Sequence, residues 1–185
     1  MPALSLETAW LRIRNLRPTD LPDFHAYRAD PAVTRYQGFD VFSREQAAEF
    51  IAQQTHCEFG HPGQWVQYGI ENQRTGRLIG DCAICLQEDD SRMAEIGLTI
   101  SPAEQRRGYA KEVLLALLDF LFGLPDFHRV VETVDADNAA SIALLESVGF
   151  RLEGEFIDNI FFKGRWGSER QYALLHREWE ARSGR

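Results

Sequence analysis

A short basic segment, Gln105 to Lys111, carries the residue types of a phosphate-binding loop. It follows an apolar run, Ala94 to Ile100, and leads into a helical pattern from Val113 to Phe122. The first N–H groups of a helix have no partner within the helix, and the helix dipole favours negative charge at that end. The segment therefore predicts a socket for the pyrophosphate of a cofactor. A solvated basic turn at Arg106 and Arg107 is the alternative interpretation.

Two common nucleotide-binding loops do not fit this segment. The sequence contains no G-x-x-x-x-G-K-[ST], which a P-loop requires, and no G-x-G-x-x-G, which a dinucleotide fingerprint requires. The segment instead contains Q-x-x-G-x-A, at Gln105, Gly108 and Ala110. Because Gly108 has no Cβ, the backbone there can approach a phosphate closely.

The first half of the chain is predicted to contain two helices and an antiparallel meander. Trp10 to Arg14 alternates apolar and polar residues, which predicts a strand. A helix is expected from Pro18–Asp20 with Thr19 as its N-cap, then an irregular aromatic segment, Val33 to Phe39. A capping box at Ser43–Gln46 opens the second helix. The predicted meander consists of strands Trp65–Glu71, Leu78–Leu86 and Met93–Ile100, with a turn at Asn72–Arg77.

The second half alternates between helices and strands. A helix from Gly108 carries a broad apolar stripe, a strand follows at Arg129–Val134, and Asn138 caps a further helix that ends at Gly149. Helical crossovers of this kind are what parallel strand pairing requires. No repeat or linker is visible, so residues 1–185 are expected to form a single domain. The closing antiparallel strands are predicted at Phe150–Phe156 and Gln171–Leu175, with a loop that carries Phe161 to Gly167 between them.

The cysteines, Cys57, Cys82 and Cys85, favour neither a disulfide framework nor a metal site. Cys82 and Cys85 lie three residues apart in a predicted strand, so they point to opposite faces with their Cα atoms roughly 10 Å apart. That distance is too long for a disulfide. No second pair of Cys or His residues lies nearby in the sequence to complete a metal site.

Composition narrows the class of partner. The net charge of −8 argues against nucleic-acid binding, which needs clustered Lys and Arg. The same charge suits a cationic substrate, although solubility alone would also explain it. No apolar run is long enough to cross a membrane, and the first residues lack the pattern of a signal peptide. A cytoplasmic protein without a membrane partner is therefore expected.

The Q-x-x-G-x-A segment, with a strand before it and a helix after it, resembles the acetyl-CoA-binding motif of the GNAT N-acetyltransferase superfamily. Asn138 to Phe150 is similar to the N-x-x-S-…-G-F segment of the RimJ/RimL-type branch, the ribosomal-protein N-terminal acetyltransferases. Ala94–Gly97 and Tyr172–Trp179 resemble further segments of that branch. The resemblance implies an α+β fold: a central, mostly antiparallel twisted sheet with one splayed parallel strand pair and flanking helices.

The resemblance also implies a site for acetyl-CoA as co-substrate, without a metal. Asn138 and Ser141 are both expected to bind the cofactor, and Asn138 is also expected to cap its helix. A surface hydroxyl is the alternative for Ser141. The pyrophosphate is expected at Arg106, Arg107, Gly108, Tyr109, Ala110 and Lys111, and the pantetheine arm along Leu98, Thr99 and Ile100.

The implied reaction is attack of a neutral amine on the thioester of acetyl-CoA. Many relatives place a tyrosine four residues before the Gly-Phe pair, where this chain has Leu145, so the acid role passes to Ser141. Glu95 is the candidate base, although it could equally anchor a cationic substrate or pair with an arginine. Asp135 and Glu153 are weaker candidates. An N–H group between Leu98 and Ile100 is expected to stabilise the thioester oxygen.

The acceptor is expected to be either the N-terminal amine of a protein or a small amine. The aromatic segment Tyr36–Phe42 and the loop Phe161–Trp166 are expected to wall the acceptor side. Monomer and homodimer both remain open. The alternative function, suggested by Leu145 at the tyrosine position, is a non-catalytic acyl-CoA-binding or regulatory module.

Overall fold

The computed structural model describes residues 4–183, and its strands form one sheet. The strands are β1 Leu6–Glu7, β2 Leu11–Asn15, β3 Trp65–Asn72, β4 Leu78–Leu86, β5 Met93–Ile100, β6 Arg129–Asp135, β7 Arg151–Phe162 and β8 Arg165–Leu175. Their order across the sheet is β1-β2-β3-β4-β5-β6-β8-β7. Among the strands of residues 4–183, only β5 and β6 pair in parallel, and the remaining neighbours are antiparallel. The predicted mixed α/β fold with one parallel pair is confirmed.

Helices cover both faces of this sheet. They are α1 Leu21–Arg28, α2 Pro31–Thr34, α3 Arg44–Gln54, α4 Tyr109–Phe122, α5 Ala139–Val148 and α6 His176–Ser183. On one face, Leu117 and Leu121 of α4 are fully buried in a cluster that includes Ile84 of β4 and Val130 of β6. On the other face, α1 and α3 form a second cluster with Leu78 of β4. Burial of these apolar side chains is the main force that holds the layers together.

Two predictions in the first half were wrong in detail. Pro18–Asp20 forms a 3-10 turn, and α1 begins after it with Asp20, not Thr19, at the N-cap. Asp20 is buried there because its carboxylate binds the Arg14 guanidinium in a two-pronged contact at 2.8 Å. The segment predicted to be irregular from Val33 begins inside a helical turn, α2, which Asp30 caps by accepting from the Ala32 N–H.

The predicted loop from Phe161 to Gly167 was also wrong. Strands β7 and β8 extend through it, and only Lys163 and Gly164 separate them. Both residues have positive φ, 48° and 80°, which suits the tight two-residue turn of a hairpin. A register shift between Phe156 and Ile160 interrupts the alternation of β7. That irregularity hides the strand in the sequence pattern.

Candidate active site

The site is built on the separation of β5 from β6. Only three registered pairs join these strands, from Met93–Arg129 to Glu95–Val131. Beyond them, β5 continues to Ile100 and β6 to Asp135 without pairing to each other. The gap between the two diverging strand ends, which we call the slot, opens through the sheet. The chain therefore has the splayed parallel pair that the sequence predicted.

The backbone of β5 presents alternate N–H groups to the slot. The Ser101 N–H donates to the Ile79 carbonyl at 2.9 Å, on the β4 side. Because successive backbone groups of a strand point to opposite edges, Thr99 also turns its N–H toward β4, whereas Leu98 and Ile100 turn theirs toward the slot. The Ile96 N–H, which faces the same way, donates to Glu132 Oε1 at 2.7 Å. Of the predicted segment, Leu98 and Ile100 thus offer backbone donors to a group in the slot.

A nest of backbone N–H groups lies at the start of α4. Gly108 is the N-cap with φ 85°, and Arg106 also has a left-handed φ of 61°. The first internal hydrogen bond runs from the Glu112 N–H to the Gly108 carbonyl, so the earlier donors have no partner inside the helix. Left-handed turns of this kind form anion-binding concavities. A groove runs past this nest and is lined by Leu98, Thr99, Ile100, Arg106, Gly108, Tyr109, Ala110, Lys111, Asn138 and Ser141.

The two arginines of the segment differ in direction. Arg106 lines the groove, whereas the Arg107 guanidinium turns back to Glu104, at 3.1 Å, and to the Ala103 carbonyl, at 3.2 Å. Gln105 donates from Nε2 to the Ile100 carbonyl at 3.0 Å, and so ties the loop to the end of β5. The side chains of Arg107 and Gln105 therefore shape the loop, and the Arg106 side chain faces the groove.

Asn138 and Ser141 lie where the groove meets the slot, because both residues line both cavities. Asn138 caps α5 as predicted: its Oδ1 accepts from the Ser141 N–H at 3.2 Å. Leu145, one turn further along α5, is buried and lines the slot. An apolar side chain thus occupies the position that the sequence comparison assigned to a tyrosine.

Glu132, Asp135 and Glu169 line the slot, whereas Glu95 lies beside it, at the last paired position of β5. Ala94 and Ile96 point into the cluster beneath α4, so Glu95 points to the opposite face. Burial, followed by the charge of Glu169, raises the pKa of Glu95. Glu169 itself lines the slot and accepts from Asn159 Nδ2 at 2.6 Å.

The two weaker base candidates are held by other contacts. Asp135 lines the slot, but one of its oxygens lies 3.6 Å from the Arg165 guanidinium. Burial opposes ionisation of Glu153, but hydrogen bonds from Arg129 and Arg151 outweigh it and lower the pKa of Glu153. The structure does not bring Glu153 to the slot.

Sequence reasoning missed Glu132. This residue lines the slot and is only 7% exposed, and burial raises its pKa well above the ordinary value. The available signal was a single acidic residue inside the apolar, β-branched run Val130–Val134. Without the register of β5 against β6, nothing marked that residue as a neighbour of the Ile96 N–H.

The outer side of the slot is formed by the loop after α2 and by the β7–β8 hairpin. Tyr36 and Phe162 line it, whereas Phe161 and Trp166 point to solvent at 62% and 60% exposure. Lys163 Nζ, at the hairpin turn, donates to the Phe39 carbonyl at 2.9 Å. The predicted aromatic wall is therefore only partly present: one aromatic residue of each segment reaches the slot.

A buried ion pair supports this loop from below. The Arg28 guanidinium binds Asp81 of β4 at 2.6 Å and lies 3.9 Å from the centre of the Phe39 ring. Tyr27 Oη donates to the other Asp81 oxygen at 2.6 Å. The loop is thus held between α1 and the hairpin turn.

Within residues 4–183, no group of His, Cys, Asp or Glu side chains is arranged to hold a metal ion. In the same part of the chain, no helix combines the length and apolar character needed to cross a membrane. Cys57, Cys82 and Cys85 are free thiols, as the sequence predicted.

Comparison with known proteins identifies relatives over nearly the full length. An N-acetyltransferase, YoaA, from Bacillus subtilis (strain 168) is 34% identical over 92% of this chain and 96% of its own. The N-acetyltransferase p20 from Bacillus licheniformis is 29% identical, over 95% of this chain and 98% of its own. A GNAT-family acetyltransferase structure from Bacillus anthracis superimposes with a TM-score of 0.85 at 25% identity, over 95% of this chain and all of that one.

Two solved complexes share the fold at lower identity. One is spermidine N-acetyltransferase from Vibrio cholerae with CoA and spermine, with a TM-score of 0.77 at 22% identity, over 93% of this chain and 99% of that one. The other is RimL, a ribosomal alpha-N-protein acetyltransferase with coenzyme A, with a TM-score of 0.78 at 19% identity, over 93% and 98%. The family model described as the acetyltransferase (GNAT) domain matches residues 11–151. With its splayed β5–β6 pair and the donor nest at α4, this chain belongs to the GNAT acetyltransferase family.

Proposed function

We propose that this chain transfers the acetyl group of acetyl-CoA to a primary amine. The observation that carries the proposal is the continuity of groove and slot: the groove begins at the nest before α4 and meets the slot at Asn138 and Ser141. A pyrophosphate at the nest would direct the pantetheine arm along β5 and deliver the thioester to the gap between β5 and β6.

In this mechanism the amine nitrogen attacks the thioester carbon, so a C–N bond forms and the C–S bond breaks. The Leu98 N–H faces the slot and is the proposed donor to the oxygen that gains charge. Glu95 accepts the proton of the attacking amine, directly or through water, and its raised pKa makes it a stronger base than an exposed glutamate. The Ser141 hydroxyl gives a proton to the departing thiolate and regains one from solvent.

The proposed acceptor is an amine that carries positive charge when free, either the N-terminus of a protein or a small amine. Carboxyl groups of Glu95, Asp135 and Glu169 near the slot support a cationic acceptor. The shared fold of the RimL and spermidine N-acetyltransferase complexes is compatible with either type. Membership of the RimJ/RimL-type branch rests on the Asn138–Phe150 segment. The proposal further includes that residues 1–185 form a single domain and that the protein is a monomer or a homodimer.

A thiol-release assay tests this function. Purified protein with acetyl-CoA is offered three classes of acceptor: peptides with a free N-terminus, the same peptides with a blocked N-terminus, and polyamines. Release of CoA with at least one free amine, and none with the blocked peptides, is expected. Binding of acetyl-CoA without release across the whole panel would instead favour a non-catalytic acyl-CoA-binding module, for which Leu145 at the slot is the supporting feature.

A further inference from the structure

Glu132 occupies the point where the β5–β6 ladder stops. The last registered pair is Glu95 with Val131, and the next donor of β5 that faces β6 is the Ile96 N–H. This donor meets the Glu132 carboxyl at 2.7 Å. In a continuing ladder, a backbone carbonyl of β6 would accept from it, with the strands about 4.8 Å apart. A side-chain acceptor extends further from its own backbone, so the strands can diverge while the donor stays satisfied.

The burial of the Glu132 carboxyl group carries a cost in folding free energy. Glu132 is only 7% exposed, and a buried carboxyl group costs free energy unless it is well compensated. The ion pairs found among residues 4–183 give it no cationic partner. Its acidic neighbour Glu95 disfavours ionisation of Glu132, and its cross-strand partner Tyr172 donates to Glu146 of α5 instead. A perturbed acidic group in a cleft is a candidate for function.

We propose that Glu132 is a positioning residue that holds the slot open, because its carboxyl oxygen takes the place of a β6 carbonyl at the Ile96 N–H. The inference rests on the proposed acetyl transfer, for which an open slot admits the thioester. Glu132 acts through the spacing of the strands and through the orientation of β5, whose Leu98 N–H lies one donor further along the same edge. It is an acceptor for Ile96 in this role, and its charge is not required.

The test compares Glu132→Gln, which keeps an oxygen acceptor, with Glu132→Leu, which removes it. Amide hydrogen exchange at Ile96 is measured by NMR, and the dissociation constant of acetyl-CoA by calorimetry. Glu132→Gln is expected to retain slow exchange and parent affinity. In Glu132→Leu the Ile96 amide is expected to exchange faster, because this buried donor loses its partner. The same variant is expected to bind acetyl-CoA about tenfold more weakly. Its KM for acetyl-CoA rises, and its kcat falls as well, because the Leu98 N–H of β5 is less well oriented toward the thioester oxygen.

A matched control variant distinguishes an effect on the slot from a general loss of folding stability. Glu71 on β3 has the same 7% exposure, Arg14 binds it at 2.7 Å, and β4 separates its strand from β5 and Ile96. Glu71→Leu is expected to lower the melting temperature without changing Ile96 exchange under native conditions or acetyl-CoA affinity. Glu132→Ala serves as a second truncation in case Glu132→Leu does not fold.

Two results would overturn the proposal. One is parent-like Ile96 exchange and acetyl-CoA affinity in both truncated variants. The other is a Glu132→Gln variant as impaired as the truncations, which would make the charge essential and the acceptor incidental. Ile96 exchange requires no turnover, so a chain that holds this contact but transfers no acetyl group would contradict the proposed function and leave the contact established.

Discussion

Asn138 Oδ1 accepts a hydrogen bond from the Ser141 N–H at 3.2 Å, so the cap of α5 fixes the backbone of the residue proposed as the acid. The bond uses one atom of the Asn138 side chain and leaves its Nδ2 donor free for other contacts. Both residues line the junction of groove and slot. The hydrogen bond that caps α5 therefore also fixes the backbone position of Ser141.

Replacement of Ser141 tests the acid directly. We expect Ser141→Ala to lower kcat about 100-fold, since loss of a positioned acid removes a contribution of that order. Acetyl-CoA affinity should change little, because the Asn138 cap needs only the backbone N–H of residue 141. Ser147 provides the matched control on the same helix, where its hydroxyl donates to the Leu144 carbonyl. Full turnover of Ser141→Ala with an unchanged pH dependence would exclude Ser141 as the acid.

Replacement of two glycines with similar backbone conformations can distinguish a loss of phosphate binding from a loss of stability through backbone strain. Gly108 and Gly76 have φ of 85° and 67°, and a Cβ built at either one meets no atom within 4 Å. Alanine at each position should cost about 1 kcal/mol of unfolding free energy, because both side chains would be held at positive φ. Only Gly108→Ala should also weaken acetyl-CoA binding, by about tenfold. Equal acetyl-CoA affinity in the two variants, measured by calorimetry, would argue against pyrophosphate binding at α4.

The pH dependence of kcat/KM tests Glu95. A base must be deprotonated to act, so the activity of the parent should fall as the pH drops through the raised pKa of Glu95. Glu95→Gln should lose this acid limb and about 100-fold in rate. Glu153→Gln should keep the limb, because hydrogen bonds from Arg129 and Arg151 hold the pKa of Glu153 low. A Glu95→Gln profile that matches the parent would remove Glu95 from the mechanism.

Glu132 makes a separate prediction about stability. Because its pKa is raised well above 4.5 in the folded chain, the native state holds this proton more tightly than the unfolded state does. The stabilisation is complete below pH 4.5 and is lost as the pH rises through the folded pKa. Glu132→Gln, which cannot ionise, should therefore gain melting temperature relative to the parent as the pH rises. A difference in melting temperature between Glu132→Gln and the parent that shrinks with rising pH would contradict the buried, protonated state of Glu132.

The parts of the fold that the sequence predicts best are those with strong local signals. Leu78–Leu86 and Met93–Ile100 are strands with the predicted bounds, because each is an apolar run with polar residues on both sides. The Ser43–Gln46 capping box and the Gly149 helix end form as expected, since cap chemistry is local. The paired bases of β7 and β8 were predicted, but the outer part of their hairpin was not, because the register shift between Phe156 and Ile160 breaks the two-residue period.

Side-chain contacts and strand register, which the sequence pattern does not encode, hid the rest of the candidate site. The sequence places Arg106 and Arg107 side by side, and it is the local ion pair with Glu104, three residues earlier, that turns Arg107 away from the groove. Glu132 becomes visible only through the register of β5 against β6, which no local pattern encodes. Asn138 and Ser141 could be predicted from the sequence, because the N-cap signal of α5 lies within four consecutive residues.

Titration with acetyl-CoA tests the central claim most directly. Native mass spectrometry of the purified chain, with melting temperature measured in parallel, reports binding without any knowledge of the acceptor. A complex with one acetyl-CoA per chain and a melting temperature that rises with its concentration is predicted. If neither acetyl-CoA nor CoA binds or raises the melting temperature, the groove at α4 is not a cofactor site and the proposed function is wrong.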